Sequence, residues 1–568
     1  MRLRVAAAQI DTVVGDLAGN AERILAAYEA AEAEDADVVC FPELAVTGYP
    51  PEDLLLRSTF VGQAAETLDK IASRTGRAAA VVGFPQAGRD LYNAAAVCAH
   101  GEVVGVYRKH LLPNYGVFDE QRYFAPDPTD GPLFVVGGVR MGVSICEDAW
   151  SPTGPVASQA AAGAEVVVNI NASPYYAGRL AERETMLATR AADASVPLVY
   201  VNLVGGQDEL VFDGASLVFD ERGRMVARAR QFVEDLLIVD VDVRGVFRKR
   251  LLDPRGRATA PPLPEITVSE PRIHEVAAHP RIEPVLPPVL EVYEALVLGT
   301  RDYVEKNGFR EVVIGLSGGI DSSLVATIAA DAIGPDRVIG VLMPSRYSSE
   351  GSVADAEQLA ANLGIRTLTI PIEPAHRAFL DMLAEPFAGT EPGTAEENVQ
   401  ARVRGTVLMS LSNKFGWLVL TTGNKSETAT GYSTLYGDMA GGFAVIKDVP
   451  KSLCYALAVE RNEREGREIV PSTVIEKPPS AELRPGQLDS DSLPPYPVLD
   501  PILEQYVGED RSVTELVEAG YDPDVVGAVA RLVDRNEYKR RQAPPGVRVS
   551  AKAFGKDRRL PITSRWPG

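Results

Sequence analysis

The chain has 568 residues, of which 46% are hydrophobic and 24% are charged, proportions typical of globular proteins and a length that predicts two or more domains. The formal net charge of −21 argues against a nucleic-acid partner and against binding to an anionic membrane. The four cysteines are too few and too scattered for a disulfide framework, and we recognise neither a signal peptide nor a membrane-spanning run. We therefore expect a cytoplasmic location.

Residues 1–245 alternate short apolar strands with alanine-rich helical stretches. The pattern indicates an α/β fold, with too many strands for one doubly wound sheet. We predict two packed sheets flanked by helices, an α-β-β-α sandwich. The predicted strands are Leu3–Gln9, Val38–Phe41, Ala79–Phe84, Ala94–Cys98, Val103–Tyr107, Leu133–Val136, Met141–Ile145, Val166–Asn169, Leu198–Asn202, Ser216–Val218 and Leu237–Val241, and the predicted helices are Asn20–Ala33, Ala64–Ser73 and Ala181–Ser195.

Three polar residues, Glu43, Lys109 and Cys146, follow strands of this region. Strand ends that meet in one cleft are where an α/β fold usually places its chemistry. A thiol needs a base to become a nucleophile, which Glu43 could supply, and Lys109 could stabilise a developing oxyanion. Taken singly, each residue has a simpler explanation, because a lone cysteine usually packs in a core and a lone lysine or glutamate is usually solvated.

The segments around these three residues resemble a known family. Phe41–Leu44, Tyr107–Pro113 and Ile145–Asp148 resemble, in order and spacing, the Glu-Lys-Cys motifs of the nitrilase, or carbon-nitrogen hydrolase, superfamily. The resemblance implies a nitrilase-like domain that cleaves a nitrile, an amide or a carbamate. The other three cysteines have no comparable setting, and we interpret them as packing residues.

The segment Tyr115–Glu120 resembles the corresponding segment of glutaminase-type members, which implies that the substrate is glutamine. By the same resemblance, Glu120 is a second catalytic carboxylate and Tyr115 contacts glutamine. Ser173 and Arg179 lie in a further matching segment and would hold the α-amino and α-carboxylate groups of glutamine, an arginine being suited to a planar carboxylate. Considered alone, Arg179 is as readily a surface arginine.

Prolines are frequent between residues 244 and 288, where we expect them to interrupt regular elements. We predict a linker at residues 246–287 that runs extended along the surface. It would separate a first domain at residues 1–245 from a second at residues 288–568. The second domain ends in a basic tail, which contains Lys539, Arg540, Arg541, Arg548, Lys552, Lys556, Arg558 and Arg559.

The second domain contains a strand that runs directly into a Ser-Gly-Gly turn and a helix, at Val312–Ser323. Its glycines let a ligand approach the backbone, and the free N–H groups of the helix attract phosphate. A carboxylate in such a loop, here Asp321, is repulsive unless a cation lies between, so we expect a magnesium-bound nucleotide. A bare glycine pair would more often be a simple turn, and the spacing is not that of a Walker A loop.

The turn resembles the Ser-Gly-Gly-x-Asp-Ser pyrophosphate loop of the ATP pyrophosphatases, which implies attack on the α-phosphate of ATP and release of pyrophosphate. The strands and helices around it predict a doubly wound, Rossmann-like parallel sheet with the nucleotide at its carboxyl edge. Beyond the loop strand, we predict strands at Val338–Met343, Arg366–Ile370 and Trp417–Thr421 and helices at Val289–Asn307, Val353–Leu363 and Asn398–Asn413. The ATP contacts that the resemblance implies are Gly315, Leu316, Ser317, Gly318, Gly319, Ile320, Asp321 and Ser322.

Further motifs narrow the resemblance to NAD synthetases. In chain order they begin at Met343, Asn398, Leu420, Tyr436, Lys477 and Glu537. The resemblance implies that Thr422 contacts ATP, and that Asn398, Glu427 and Lys539 contact deamido-NAD. It also implies that Glu427 and the loop aspartate hold magnesium. Without the resemblance, Glu427 would be an ordinary loop carboxylate.

Three other charged or proline-rich features allow more than one interpretation. Lys447 and Lys451 could face phosphates or form a solvated surface. The acidic run at residues 471–501 could be disordered, although the family resemblance suggests a loop that orders over the active site. The basic tail could bind phosphates, pack against another subunit or, less plausibly, bind nucleic acid.

Together these resemblances imply a glutamine-hydrolysing ligase that adenylates deamido-NAD with ATP and Mg²⁺ and amidates it with ammonia. An enclosed path would keep the ammonia unprotonated. The resemblance also implies a homo-oligomer built on paired synthetase domains. Two alternatives are a glutamine-fed ATP pyrophosphatase with another acceptor, and an amidase whose second domain binds nucleotides only as regulators. An RNA-modifying enzyme is disfavoured by the acidic charge.

Overall fold

The computed structural model describes residues 2–253 and 260–566, which form two compact units. The first comprises residues up to Gln207 together with Val211–Leu286, and the second comprises Asp208–Leu210 together with the residues from Pro287 onward. Among the described residues, no helix combines the length and apolar character needed to cross a membrane.

Within the described residues of the first unit, most strands belong to two sheets. One is six-stranded, with the order β14-β1-β2-β3-β4-β5, and the other is seven-stranded, with the order β13-β12-β9-β8-β7-β6-β15. The strands are β1 Arg2–Gln9, β2 Val38–Cys40, β3 Ala79–Ala87, β4 Leu91–Ala99, β5 Glu102–Arg108, β6 Leu133–Val136, β7 Val139–Ile145, β8 Val166–Asn171, β9 Leu198–Asn202, β10 Val204–Gln207, β11 Leu210–Asp213, β12 Leu217–Phe219, β13 Met225–Arg228, β14 Asp235–Asp242 and β15 Glu265–Thr267. The helices are α1 Leu17–Ala33, α2 Ser58–Ala72, α3 Pro155–Ala161, α4 Arg179–Ala194 and α5 Arg244–Leu252.

The alternation of side chains along each strand explains the layers of this unit. In β1, Leu3 and Val5 face a core shared with the seven-stranded sheet, whereas Ala6 and Ala8 face the opposite side, as the period of two in a strand requires. That outer side packs against α1 and α2, and the outer side of the seven-stranded sheet packs against α3 and α4. The predicted α-β-β-α sandwich is therefore confirmed.

Regular structure also occurs where the sequence predicts a linker. Helix α5 occupies Arg244–Leu252, before the first proline of the stretch, and β15 pairs in parallel with β6 at an edge of the seven-stranded sheet. A proline next to an edge strand removes no ladder hydrogen bond, which is why the flanking prolines are compatible with β15. Residues 254–259 of the predicted linker lie outside the described residues. The domain limits at residues 245 and 288 stay a prediction.

In the described part of the second unit, a five-stranded parallel sheet has the order β18-β17-β16-β19-β20. Its strands are β16 Val312–Leu316, β17 Val338–Leu342, β18 Arg366–Thr369, β19 Leu418–Thr421 and β20 Phe443–Ala444. The two-residue strand β20 is too short to show a sequence pattern, and we did not predict it. The predicted doubly wound parallel sheet is confirmed, and the central position of β16 places its carboxyl end at the middle of the sheet edge.

Helices cover the sheet of the second unit and form a further cluster after it. Helix α7 packs on β16 and β17, and α10 packs on β16 and β19. The helices are α6 Pro288–Lys306, α7 Ile320–Ile333, α8 Glu350–Leu363, α9 Glu373–Leu383, α10 Thr394–Phe415, α11 Lys425–Thr430, α12 Lys451–Glu465, α13 Ser472–Glu476, α14 Tyr496–Leu503, α15 Val513–Glu518, α16 Pro523–Arg535 and α17 Glu537–Arg540.

The basic tail folds back onto this helical cluster. Arg540 is buried and donates to Ala429 O at 2.7 Å, and Arg548 pairs with Asp557 at 2.7 Å. These two tail arginines therefore bind a carbonyl oxygen and a carboxylate of their own unit. Sequence reasoning did not anticipate these contacts.

Candidate active sites

Cys146 lies at the carboxyl end of β7, at the start of a tight turn, and is 3% exposed. Its φ of +43° lies in the left-handed region, which is uncommon for a residue with a Cβ and which clusters at functional sites. Glu43 follows β2 and Lys109 follows β5. Since β2 and β5 belong to the six-stranded sheet and β7 to the seven-stranded sheet, the predicted residues come from facing sheets.

Lys109 is fully buried between two carboxylates. Its Nζ donates to Glu43 Oε1 at 2.7 Å and to Glu120 Oε1 and Oε2 at 2.9 and 2.8 Å. Burial disfavours the ammonium, but Glu120 and Glu43 outweigh it and raise the pKa of Lys109 well above its ordinary value. The lysine is therefore a permanent cation, as an oxyanion partner must be.

Further hydrogen bonds hold the two carboxylates in place. Asn93 Nδ2 donates to Glu43 Oε1 at 2.7 Å, and the backbone N–H of Ala172 donates to Glu43 Oε2 at 3.1 Å. The Tyr49 hydroxyl donates to Glu120 at 3.0 Å. Neither Asn93 nor Tyr49 was among the predicted site residues, because each becomes recognisable only once the sheets are packed.

The thiol of Cys146 is electrostatically coupled to the same groups. Burial raises the pKa of Cys146 well above its ordinary value, the Glu43 carboxylate raises it further, and Lys109 lowers it. The resting nucleophile is therefore a neutral thiol. It requires a proton acceptor at the moment of attack, and Glu43 is the carboxylate whose charge acts on it most strongly.

We expect Lys109→Met to destabilise the first unit as well as to stop its chemistry. The substitution leaves Glu43 and Glu120 buried without their cation, which costs about 3–5 kcal/mol in comparable cases. Thermal unfolding of the full chain measures the effect, with exposed Lys70→Met as the matched control, for which we expect a change within about 0.5 kcal/mol. A Lys109→Met protein as stable as the parent would contradict the buried ion-pair description.

Two of the predicted glutamine contacts, Tyr115 and Arg179, pack against the segment that follows Cys146. Tyr115 is 56% exposed, and its hydroxyl donates to Glu147 Oε2 at 2.9 Å. Arg179 begins α4 and stacks over the Trp150 ring at 4.1 Å. Burial and the Glu147 carboxylate raise the pKa of Tyr115, and the charge of Arg179 lowers it. Glu147 and Arg179 are therefore both close enough to Tyr115 to act on its hydroxyl.

Two other residues complete this region of the first unit. Ser173 is buried, and its backbone N–H donates to Asn202 Oδ1 at 2.9 Å. Glu147 was missed as a site residue. Its only sequence signal was its place directly after Cys146 in the Cys-Glu-Asp segment.

The second unit contains a cavity of about 300 Å³. The predicted residues that line it are Gly315, Leu316, Ser317, Gly319, Ile320, Asp321, Ser322, Thr422 and Glu427. Gly318 does not line the cavity. It has a φ of +75°, and a Cβ there would lie 2.0 Å from Ser352 O, so the loop requires a glycine at this position. The loop precedes the N-terminus of α7, whose free N–H groups and dipole favour an anion in the cavity.

Lys451 joins the two predicted metal carboxylates. Its buried Nζ lies 2.5 Å from Asp321 Oδ2 and 3.2 Å from Glu427 Oε1. Burial lowers the pKa of Lys451, but Asp321 and Glu427 outweigh it and raise that pKa well above the ordinary value. Lys451 lines the cavity. Lys447 instead donates to Pro544 O at 2.7 Å.

The donor set of Asp321 and Glu427 fits a hard divalent cation, because Mg²⁺ prefers carboxylate oxygens and is commonly bound by one or two carboxylates together with substrate phosphates. Among the described residues, no group of three or more His, Cys, Asp or Glu side chains is arranged to hold a metal.

Asn398 and Lys539 lie behind the cavity wall. Thr434 Oγ1 donates to Asn398 Oδ1 at 2.7 Å, and Lys539 Nζ donates to Gly431 O and Ser433 O at 2.8 and 3.0 Å. Of these residues, Thr434 lines the cavity. Direct contact of Asn398 and Lys539 with a dinucleotide stays a prediction.

The acidic, proline-rich run is ordered, with α13 and α14 within it, and its segment from Lys477 to Leu483 lines the cavity. Lys477 Nζ donates to Ser352 Oγ at 2.8 Å, and Ser352 Oγ donates to Glu482 Oε1 at 2.7 Å. Tertiary contacts therefore hold a segment that the sequence left open between a disordered and an ordered state.

Two protein families match the chain in succession. The carbon-nitrogen hydrolase family matches residues 4–248, and the NAD synthase family matches residues 292–543. The chain is 50% identical over 575 residues to the glutamine-dependent NAD(+) synthetase of Thermotoga maritima, covering 100% of this chain and 99% of that protein. It is 47% identical to the Aquifex aeolicus enzyme of the same name, covering 99% and 100%.

Solved structures agree with the sequence comparison. The glutamine-dependent NAD+ synthetase of Acinetobacter baumannii, determined in complex with ADP, superposes with a TM-score of 0.76 at 41% identity, covering 99% of this chain and 98% of that one. The Cytophaga hutchinsonii synthetase superposes with a TM-score of 0.82 at 22% identity, covering 100% and 98%, and this likeness supports the fold alone.

Proposed function

This chain belongs to the glutamine-dependent NAD(+) synthetases, and we propose that its two units divide one synthesis between them. The chain is a ligase that uses glutamine as the nitrogen donor for NAD. In our proposal the first unit releases ammonia from glutamine, and the second activates deamido-NAD with ATP and captures that ammonia. One observation supports this proposal above all: the first unit contains the Glu43-Lys109-Cys146 cluster, and the second contains a cavity lined by the Ser-Gly-Gly-x-Asp-Ser loop.

In the first unit, Cys146 Sγ attacks the side-chain amide carbon of glutamine while its proton passes to Glu43. Lys109, held cationic by both carboxylates, stabilises the oxyanion of the tetrahedral species. Glu43 returns the proton to the departing nitrogen, which leaves as ammonia, and a thioester remains. Glu43 then takes a proton from water, which attacks the thioester, and it passes that proton to the departing sulfur, so that glutamate leaves and both the thiol and the Glu43 carboxylate are restored. Glu120 keeps Lys109 in place throughout.

Glutamine would be recognised by Tyr115, Ser173 and Arg179. Arg179 offers a planar guanidinium that is already aligned by its stacking on Trp150, which suits the α-carboxylate of the substrate. Tyr115 and Ser173 would contact the remaining polar groups. The contacts of Tyr115 with Glu147 and of Arg179 with Trp150, both in the segment after Cys146, support these roles.

In the second unit, the residues from Gly315 to Ser322 would surround the phosphates of ATP, and Thr422 would contact the nucleotide. The nicotinate carboxylate of deamido-NAD attacks the α-phosphate, which forms an acyl adenylate and releases pyrophosphate. Ammonia then attacks the acyl carbon and displaces AMP. Lys451 adds a fixed positive charge at the cavity wall, where phosphate charge develops.

We propose that Asp321 and Glu427 hold Mg²⁺, which when bound would neutralise the phosphates and the pyrophosphate leaving group. Glu427 would also border the deamido-NAD site, to which Asn398 and Lys539 would contribute. Both side chains line the same cavity as the loop from Gly315 to Ser322, which supports this assignment.

Three properties of the whole enzyme complete the proposal. Ammonia would travel along an enclosed path, because free ammonia at neutral pH is mostly the non-nucleophilic ammonium ion. The enzyme would form a homo-oligomer through paired synthetase domains. It would work in the cytoplasm, where its cysteines, all free in the described ranges, stay reduced.

One assay tests the proposed function directly. Purified protein is incubated with ATP, Mg²⁺, deamido-NAD and either glutamine or ammonium chloride, and NAD, AMP and pyrophosphate are measured together. We expect equal amounts of the three products with both nitrogen donors, and one glutamate per NAD when glutamine is the donor. Pyrophosphate release that does not depend on deamido-NAD would rule out this acceptor.

A further inference from the structure

Asp148 is a fully buried carboxylate that accepts hydrogen bonds from four directions. Its Oδ2 accepts from the backbone N–H of Ile145 at 2.9 Å and from the Tyr107 hydroxyl at 2.7 Å. Its Oδ1 accepts from the backbone N–H groups of Leu111 at 2.9 Å and His110 at 3.3 Å. Every acceptor position of this side chain is thus directed at the protein itself.

The four donors belong to the two strand ends that carry catalytic residues. Ile145 directly precedes Cys146 at the end of β7, whereas Tyr107 and His110 flank Lys109 at the end of β5. These strands belong to different sheets of the sandwich. One carboxylate therefore joins the strand end that carries the nucleophile to the strand end that carries the cation.

A local capping role does not account for this arrangement. Asp148 does cap the short turn that begins at Cys146, through its bond to Ile145, but that explains one donor of four. The other three donors lie 37 to 41 residues away in the chain. Burial raises the pKa of Asp148 to about 6, although its hydrogen-bond donors act to lower it. Holding a charged carboxylate at this buried position therefore lowers the stability of the folded protein.

We propose that Asp148 is a positioning residue of the glutaminase reaction, which sets the distance between Lys109 and Cys146 without touching substrate. The inference rests on the proposed roles of these two residues. It follows from geometry, because loss of the carboxylate would free both strand ends to relax independently, and displacements of about 1 Å can lower rates by about 10²-fold.

Steady-state kinetics of Asp148→Asn and Tyr107→Phe test the proposal. We expect Asp148→Asn to lower kcat with glutamine by about 10²-fold, with KM for glutamine changed less than about threefold because Tyr115, Ser173 and Arg179 are untouched. Tyr107→Phe removes one donor and leaves the other three, so we expect about a tenfold loss. The double variant should lose no more than Asp148→Asn alone, since both act through one contact.

Ammonia-dependent NAD formation by the same proteins serves as the internal control, and we expect it to match the parent. Asp148→Asn with the parental kcat, or a rise in KM at unchanged kcat, would overturn the positioning role. If Asp148→Asn does not fold, Tyr107→Phe decides by the same kcat and KM criteria. The proposed function fails separately, if Cys146→Ala keeps its glutamine-dependent activity.

Discussion

Replacing Cys146 with alanine is expected to abolish NAD formation from glutamine while ammonium salts still support it. Removing the nucleophile of a covalent mechanism typically costs about 10⁴-fold or more in kcat. The cavity that holds the phosphate loop contains no residue of the first unit among its described lining residues, so adenylation and capture of added ammonia should continue. Assays with each nitrogen donor at saturation measure both activities on one sample.

Cys98→Ala provides the matched control for this experiment. Cys98 is equally buried, but it lies in β4 within the core that faces α1 and α2. It should retain both activities at the parental rate. Loss of the ammonia-dependent reaction in Cys146→Ala, with Cys98→Ala intact, would contradict the division of labour between the two units.

The second large effect is expected from Asp321→Ala, which should reduce AMP and pyrophosphate formation with either nitrogen donor. The substitution removes a carboxylate that lines the cavity and contacts both Lys451 and Asn424. Losing one electrostatic contact of this kind typically costs about 10²- to 10³-fold in kcat. Release of AMP and pyrophosphate is followed with glutamine and, separately, with ammonium chloride.

In the same Asp321→Ala protein, glutamine hydrolysis measures the activity of the first unit. We expect the Cys146 thiol to keep its reactivity. Asp336→Asn is the matched control, because Asp336 is exposed and does not line the cavity. Formation of ADP and phosphate by the parent enzyme, instead of AMP and pyrophosphate, would refute attack on the α-phosphate.

The strands that precede the proposed catalytic residues were predictable because their signal is local. Leu133–Val136 and Leu198–Asn202 were predicted at their observed bounds, and the strands that precede Glu43, Lys109 and Cys146 agree within a few residues. Hydrophobic alternation and strand ends need only neighbouring residues. Short elements such as β20, and the strand β15 between prolines, give too little pattern for this method.

Contacts between distant segments could not be predicted in the same way. Lys451 meets Asp321 across 130 residues of chain, and Asn93 meets Glu43 across 50. Sequence reasoning proposed both a solvated face and a phosphate-facing role for Lys451, since a charge next to Asp448 looks alike in both cases. In the structure Lys451 is buried and lines the cavity.

The sequence by itself determined the family, because the segments around Glu43, Lys109 and Cys146 and the Ser-Gly-Gly-x-Asp-Ser loop resemble known motifs, each contained within a few positions. Only the tertiary structure decided the charge states and hydrogen-bond partners of the groups in the sites. It buried Lys109 between two carboxylates, kept the Cys146 thiol protonated and aimed four donors at Asp148. These properties depend on burial and on pairs of groups from different sheets, and neither quantity exists until the chain is packed.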